Sequence, residues 1–181
     1  MTSDSNPLPR ILIVDDSRMV RASIAKHIRG HYDYREESDG ETGWQVLVLD
    51  HTVQAVITDL SMPVLDGFGL LARIRNSRLA RLREMPVLMI SGDEDEASRE
   101  RAKALGVSDF VTKGIGATEL RSRLDSLIRL AQAQKQLEAT RDLQVEDPET
   151  GLFTRKYIEL QAAQALSHAS RHGTEVSVMV L

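Results

Sequence analysis

Three carboxylates, a hydroxyl and an amine stand at the ends of short apolar runs. Ile11–Val14 leads into Asp15 and Asp16, and Ala55–Ile57 runs through Thr58 into Asp59. Val87–Ile90 ends at Ser91, and Phe110 and Val111 lead through Thr112 to Lys113. Brought together, these residues suit a divalent cation and a phosphoryl group. Carboxylate oxygens are the ligands magnesium prefers, beside water and phosphate oxygens. A carboxylate can act as nucleophile and carry a phosphoryl group as an aspartyl phosphate. A lysine and a hydroxyl can neutralise the remaining phosphoryl oxygens. Three close carboxylates repel, so one takes up a proton unless a cation intervenes. Taken singly, each residue reads as an ordinary helix cap, turn or surface side chain. Their shared placement at strand ends of one type sets them apart.

Short apolar runs between helical stretches read as buried parallel strands. In an open parallel sheet, residues at the carboxyl ends of the strands line the binding crevice. The pattern predicts strands at 10–14, 32–37, 53–58, 87–90 and 107–112, the second polar and near a sheet edge. Helices are expected from Ser17 as cap to about Arg29, over 41–49, from Phe68 to about Asn76, and over 94–105. Met19, Val20, Ile24 and Ile28 are expected on the inner side of the first, and Leu70, Leu71 and Ile74 on that of the third. Trp44, Leu47 and Val48 are the apolar residues of the second, and Asp93 with Glu96 has the spacing of an acidic cap for the fourth. Gly30 and Gly106 can end helices. Five strand-then-helix units imply an α/β fold, a doubly wound five-stranded parallel sheet with right-handed crossovers.

From Thr118 to about Gln144 there is neither glycine nor proline, and leucines recur at 120, 124, 127, 130 and 137. This is a long helix, read either as a solvated terminal helix or as a signalling stalk with a coiled-coil dimer seam. Asp147 before Pro148 stops it. A second amphipathic helix is expected from Arg155 to about His172, ended by Gly173, and the apolar run 176–181 reads as the start of a strand. The expected division is a loose tail at 1–8, a domain at 9–130, a helical stalk at 131–146 and a partial second α/β domain at 147–181.

The chain has 181 residues, of which 41% are hydrophobic and 28% charged, with a net charge of −4. That charge gives no electrostatic reason to expect nucleic-acid binding, and no basic recognition helix appears. Cysteine is absent, which excludes disulfides and thiolate chemistry. No apolar run approaches the length of a bilayer span and no signal-peptide pattern opens the chain, so a cytoplasmic protein is expected. His168 and His172, spaced i and i+4, read as a solvated helix face rather than a zinc site.

The stretches ILIVDDS, ITDLSMPVLDG, VLMISGDED and ALGVSDFVTK resemble the receiver domain of two-component response regulators, of the CheY-like, flavodoxin-like kind, over about 9–130. The resemblance implies that Asp59 is the phosphoacceptor, supplied by a phosphohistidine on a histidine kinase or phosphotransfer protein. It implies Mg2+ held by Asp16, Asp59 and the Ser61 backbone carbonyl, with Asp15 acting through water. Ser91 would bond a phosphoryl oxygen, and Lys113 would pair with the phosphate. Phe110 stands at the aromatic switch position, and with Ser91 it would change the face made by 94–105, 107–112 and the helix from 118. The alternative for Phe110 is a static core ring. The family usually places proline after the lysine, behind a cis peptide bond; Gly114 stands there instead. A phosphatase on this fold would need Asp-x-Asp after the first strand, where this chain has Asp15, Asp16 and Ser17.

The tail DPETGLFTRKYIELQAAQAL resembles the opening of a GGDEF diguanylate cyclase domain, matching at Asp147, Thr150, Gly151, Leu152 and Arg155 and departing at Glu149 and Thr154. In that family the metal aspartate follows the strand that 176–181 would begin and the Gly-Gly signature comes further on; neither is present in this sequence. The resemblance implies a cyclase output governed by phosphorylation through homodimerisation. The other reading is a non-catalytic, phosphorylation-dependent interaction module with a degenerate tail.

Overall fold

The computed structural model describes residues 8–92, 96–143, 145–147, 149–173 and 175, with 140–143 as backbone alone. Five strands form one parallel sheet: β1 (Arg10–Val14), β2 (Asp33–Glu37), β3 (Val53–Asp59), β4 (Val87–Ser91) and β5 (Asp109–Thr112). Their order is β2-β1-β3-β4-β5, so the polar β2 lies at an edge and β3 at the centre. The helices between them are α1 (Arg18–Ile28), α2 (Gly40–Leu49), α3 (Gly67–Arg75), α4 (Ala80–Arg83) and α5 (Glu96–Ala104). This is the doubly wound, flavodoxin-like arrangement. The chain winds one way from β1 to β2 and the other way from β3 to β5. The switch point therefore lies between the carboxyl ends of β1 and β3.

Alternation along each strand builds two cores, as a sheet buried on both faces requires. Leu12, Val14, Val56, Val87 and Met89 face α2, α3 and α5, where Leu47, Leu70, Leu71, Ile74 and Ala102 meet them. Ile11, Ile13, Ala55, Ile57, Leu88 and Ile90 face α1 and α6, where Ile24, Ile28, Leu120 and Leu124 meet them. Helix α6 (Ala117–Leu143) is the long helix expected from the leucine spacing.

Three expectations are corrected. Met19 is 83% exposed. At about 100° per residue it lies about half a turn from Ile28, on the opposite side of α1. β5 begins at Asp109 rather than 107, because the Val107 amide donates to Ala102 O at 3.0 Å and so belongs to the turn ending α5. Helix α4 has no counterpart in the expected elements. Its Leu82 is fully buried. The acidic cap at Asp93 lies outside the described residues.

By contacts the chain divides into two units, 1–132 and 133–181. In the second, Asp147 Oδ1 accepts from the amides of Glu149 and Thr150 at 3.0 and 2.9 Å. Thr154 caps α7 (Arg155–His172) by accepting from the Tyr157 amide, and Gly173 ends it with φ +65°. Helix α7 has no buried residue, and Ile158, Leu160 and Leu166 are exposed. The rings of His168 and His172 stand 4.4 Å apart. The strand expected at 176–181 lies outside the described residues. No described helix is long and apolar enough to cross a membrane.

At the amino ends of the strands, Arg10 bridges Asp33 and Asp50 at 2.6 and 3.1 Å. Hydrogen bonds from Thr52 hold the Asp50 carboxyl down at about 2 against its burial, and Arg10 adds to this. The folded value lies below the ordinary 3.8, so the stabilisation is present above that pH and is lost as pH falls through about 2. Asp50→Asn should therefore flatten the acid limb of stability between about pH 4 and about pH 2, read from urea midpoints. Ile74→Ala, at a fully buried site, should cost about 2–5 kcal/mol in the same assay with the slope unchanged.

Candidate functional site

The ends of β1 and β3 bring Asp15, Asp16 and Asp59 together, with one carboxylate oxygen from each within 4.8 Å of the others. Asp15 is 1% exposed and Asp59 5%, while Asp16 lies at the surface. Asp59 is the last residue of β3 rather than the first beyond it. Asp15 Oδ1 accepts from the Ser17 amide at 2.8 Å, the same turn in which Ser17 caps α1. Asp15 Oδ2 is buried and has no hydrogen-bond partner. Burial pushes the Asp15 carboxyl above its ordinary value, and the nearby Asp59 charge adds to this against the Ser17 amide and Lys113.

Lys113 reaches this pocket from the end of β5. Its Nζ stands 3.0 Å from Asp59 Oδ1 and 3.5 Å from Asp15 Oδ2. Partial burial works against the ammonium, but the bond and charge of Asp59, with the charge of Asp15, outweigh it and raise its pKa. The backbone fixes the lysine's approach. Ser91 pairs with Thr112 across β4 and β5, and the Lys113 amide donates to Ser91 O at 2.6 Å. Ser91 is itself buried at this edge. The Lys113–Gly114 bond is trans, and Gly114 takes φ +102°. Where the family pattern has a cis proline, glycine's freedom at positive φ turns the loop.

The loop after Asp59 is packed against backbone. Gly67 donates to Leu60 O at 2.9 Å, and a Cβ on it would fall 2.0 Å from the Asp59 carbonyl oxygen. No side chain fits there without moving the strand end that carries Asp59. Gly40, opening α2, donates to Leu65 O at 3.0 Å and pins the same loop. Ser61 lies exposed in it, two residues past Asp59. Val64 has φ +65°, among the described residues the one non-glycine in the left-handed region. That conformation is strained for a β-branched side chain.

Phe110 lies mid-strand on β5, half-buried against the core shared with α2, α3 and α5. The Arg99 guanidinium from α5 sits over its ring, 5.3 Å from the centroid. Phe110 pairs with Met89, two residues before Ser91 on β4.

Arg21 is a site residue that no motif in the sequence marks. Its Nη1 donates to Asp15 O at 2.6 Å and to Asp16 O at 3.2 Å, fixing the backbone of the two acids. Glu36 holds it from β2 at 3.2 Å. The available signal is its place one turn beyond the Ser17 cap, the helical position that looks back on the loop.

The donor set fits a divalent cation. Two buried carboxylates and one exposed one crowd together, and one buried oxygen lacks a proton donor. Asp15, Asp16 and Asp59 are the described residues that could hold such an ion.

A profile of the response regulator receiver domain matches residues 11–125. The chain belongs to the response regulator receiver family. It is 35% identical over 119 residues to the two-component response regulator ORR3 of Oryza sativa, covering 65% of this chain and 88% of that protein. It is 27% identical over 121 residues to a chemotaxis protein CheY homolog of Campylobacter jejuni, covering 66% and 92%. With the transcriptional regulatory protein GltR of Pseudomonas aeruginosa it shares 33% over 123 residues, but spans only 50% of that protein. Vibrio cholerae CheY4 shares the fold, with a TM-score of 0.61 over 66% of this chain and 98% of that one at 21% identity. The profile match ends at residue 125, before α7.

The raised Asp15 pKa has a stability consequence. A folded carboxyl above its ordinary value loses stability as pH rises, so ionised Asp15 costs the metal-free receiver at neutral pH. Asp15→Asn should raise Tm at pH 7 in EDTA by a few degrees and shrink the further rise on adding Mg2+. A lower Tm than wild type in EDTA would contradict this.

Proposed function

We propose that this receiver accepts a phosphoryl group on Asp59 from a phosphohistidine of a histidine kinase or phosphotransfer protein. The observation that carries the reading is the buried Asp15–Asp59 pair bridged by Lys113 at the sheet's switch point. Asp59 Oδ1 is engaged by Lys113, which leaves Oδ2 to form the new O–P bond. The P–N bond of the donor breaks, and its electron pair returns to the imidazole nitrogen. Lys113 then pairs with a phosphoryl oxygen, and the Ser91 hydroxyl donates to another. Asp16, Asp59 and the Ser61 carbonyl would hold Mg2+, with Asp15 acting through a water. The ion would neutralise charge gathering on the transferred group.

The product puts extra negative charge and three strong acceptors beside Ser91. Ser91 moving toward them would draw Phe110 inward and change the face of α5, β5 and α6. In that motion the ring leaves the Arg99 guanidinium that rests on it, and so acts as a switch rather than a static core residue. Signal would then pass along α6 to dimerise the chain and bring two output domains together.

For the output we favour a diguanylate cyclase of the GGDEF kind, beginning at about 147. The Asp147 turn and the Thr154 cap support it, since both serve to set a loop before α7. Thr154, a departure from the family's asparagine, is itself a good cap. The receiver chain alone performs no catalysis beyond its own phosphorylation. The second reading, an interaction module acting only through partners, rests on Glu149, the other departure from the family pattern, where a charged residue replaces leucine.

Acetyl phosphate with Mg2+ should add one phosphoryl group by intact mass, and Asp59→Asn should add none. Lys113→Ala should still be modified but lose the response to it. Beryllium fluoride with Mg2+ should shift the wild type toward dimer in ultracentrifugation. An unchanged mass distribution with fluoride binding proven would remove dimerisation from the account.

A further inference from the structure

A pocket of about 420 Å3 lies between the turn that joins α1 to β2 and one side of α6. His31 and Tyr32 line it from the turn, and Arg121, Asp125 and Arg129 from the helix. Positions 121, 125 and 129 fall on one column of a helix, four residues apart. The ordinary outcome of that spacing is a carboxylate shared by two arginines. Here the carboxylate keeps its charge and accepts from a phenol. Tyr32, 5% exposed, donates its hydroxyl to Asp125 Oδ1. Burial pushes the Tyr32 hydroxyl up, and the Asp125 bond and charge push it further, so it keeps the proton it donates. Among the described residues Asp125 forms no ion pair with either arginine.

Arg121 spends its donors on neutral groups. Its Nε donates to Ala117 O at 3.2 Å, and its Nη1 contacts His31 Nε2 at 2.7 Å. A guanidinium only donates, so His31 Nε2 is the acceptor in this contact. Arg129 is exposed and forms no ion pair among the described residues. Two guanidiniums about 12 Å apart along the helix thus line the pocket with the Asp125 carboxylate between them, which leaves one positive charge in excess among these three side chains. Thr118 and Ser122 also line the pocket.

We propose that this pocket binds a small phosphate-bearing anion, with Arg121 and Arg129 as its charge partners and the hydroxyls of Thr118 and Ser122 as further donors. Two guanidiniums lining one pocket can donate to several oxygens of a tetrahedral anion. The volume suits a ligand up to the size of a nucleotide. The site is separate from Asp59, and it stands whether or not that residue is phosphorylated.

The test is a titration of the full chain with sodium pyrophosphate, followed by 1H–15N NMR, against sodium chloride of equal ionic strength. Pyrophosphate should shift the amides of residues 31, 32 and 118–129, and chloride should not. Arg121→Gln with Arg129→Gln should weaken binding by roughly tenfold or more. Arg129→Gln alone has no ion pair to lose, so it should weaken binding severalfold at unchanged Tm. Lys113→Ala should bind as wild type does. Equal shifts with chloride would overturn the proposal, as would shifts centred on Lys113 or undiminished binding by the folded Arg129→Gln.

Discussion

Like charges held out of water at the ends of two adjacent strands are the constraint on which the rest of this molecule depends. Asp15 and Asp59 are almost fully buried, and Asp16 is beside them. Two such carboxylates do not stay ionised together without a cation, and the fold supplies one in Lys113. That lysine arrives from the far side of the sheet. It reaches 3.0 Å from Asp59 only because β4 lies beside β3 and β5 beside β4. The strand order is therefore an electrostatic device as much as a packing solution. A sheet with β5 elsewhere would leave a buried negative pair uncompensated, at a cost of several kcal/mol.

The surrounding backbone is shaped to keep that pair in place. Gly67 and Gly40 let the loop after β3 lie against the strand end and against α2, where any side chain would collide with a carbonyl. Arg21 ties the carbonyls of Asp15 and Asp16 to the first helix. Two apolar cores clamp the sheet from both sides, so the acids sit at the rim of a stiff layer. Lys113 cannot satisfy both acids equally. It lies closer to Asp59 than to Asp15, and Asp15 Oδ2 keeps a lone pair with no proton donor. A site left short of positive charge in this way is poised for a metal ion.

Much of this is legible in the sequence, for a physical reason. Buried parallel strands must be apolar on both faces, so 11–14, 55–57 and 87–90 stand out, and the polar residue ending each marks the crevice. Asp15, Asp59, Ser91 and Lys113 can be placed at one edge of the sheet because topology puts them there. What stays hidden depends on three-dimensional contacts that periodicity does not record. Helix α4 is four residues in an arginine-rich stretch, too short to show a repeat. Arg21 acts on backbone carbonyls, and hydrogen bonds of that kind leave no pattern of residue types. Met19 reads as an inner residue only while its apolar character is allowed to outweigh its angle on the helix. The Tyr32–Asp125 contact joins residues 93 apart, beyond the reach of local spacing.

The central claim is that the carboxylate cluster bridged by Lys113 is a cation site built to receive a phosphoryl group. A magnesium titration of the wild-type chain followed by 1H–15N NMR tests it most directly. The account predicts saturable shifts at the amides of 15–17, 59–62, 91 and 113–114, absent in Asp59→Ala. No saturable change in those amides, or the same changes in Asp59→Ala, would contradict it.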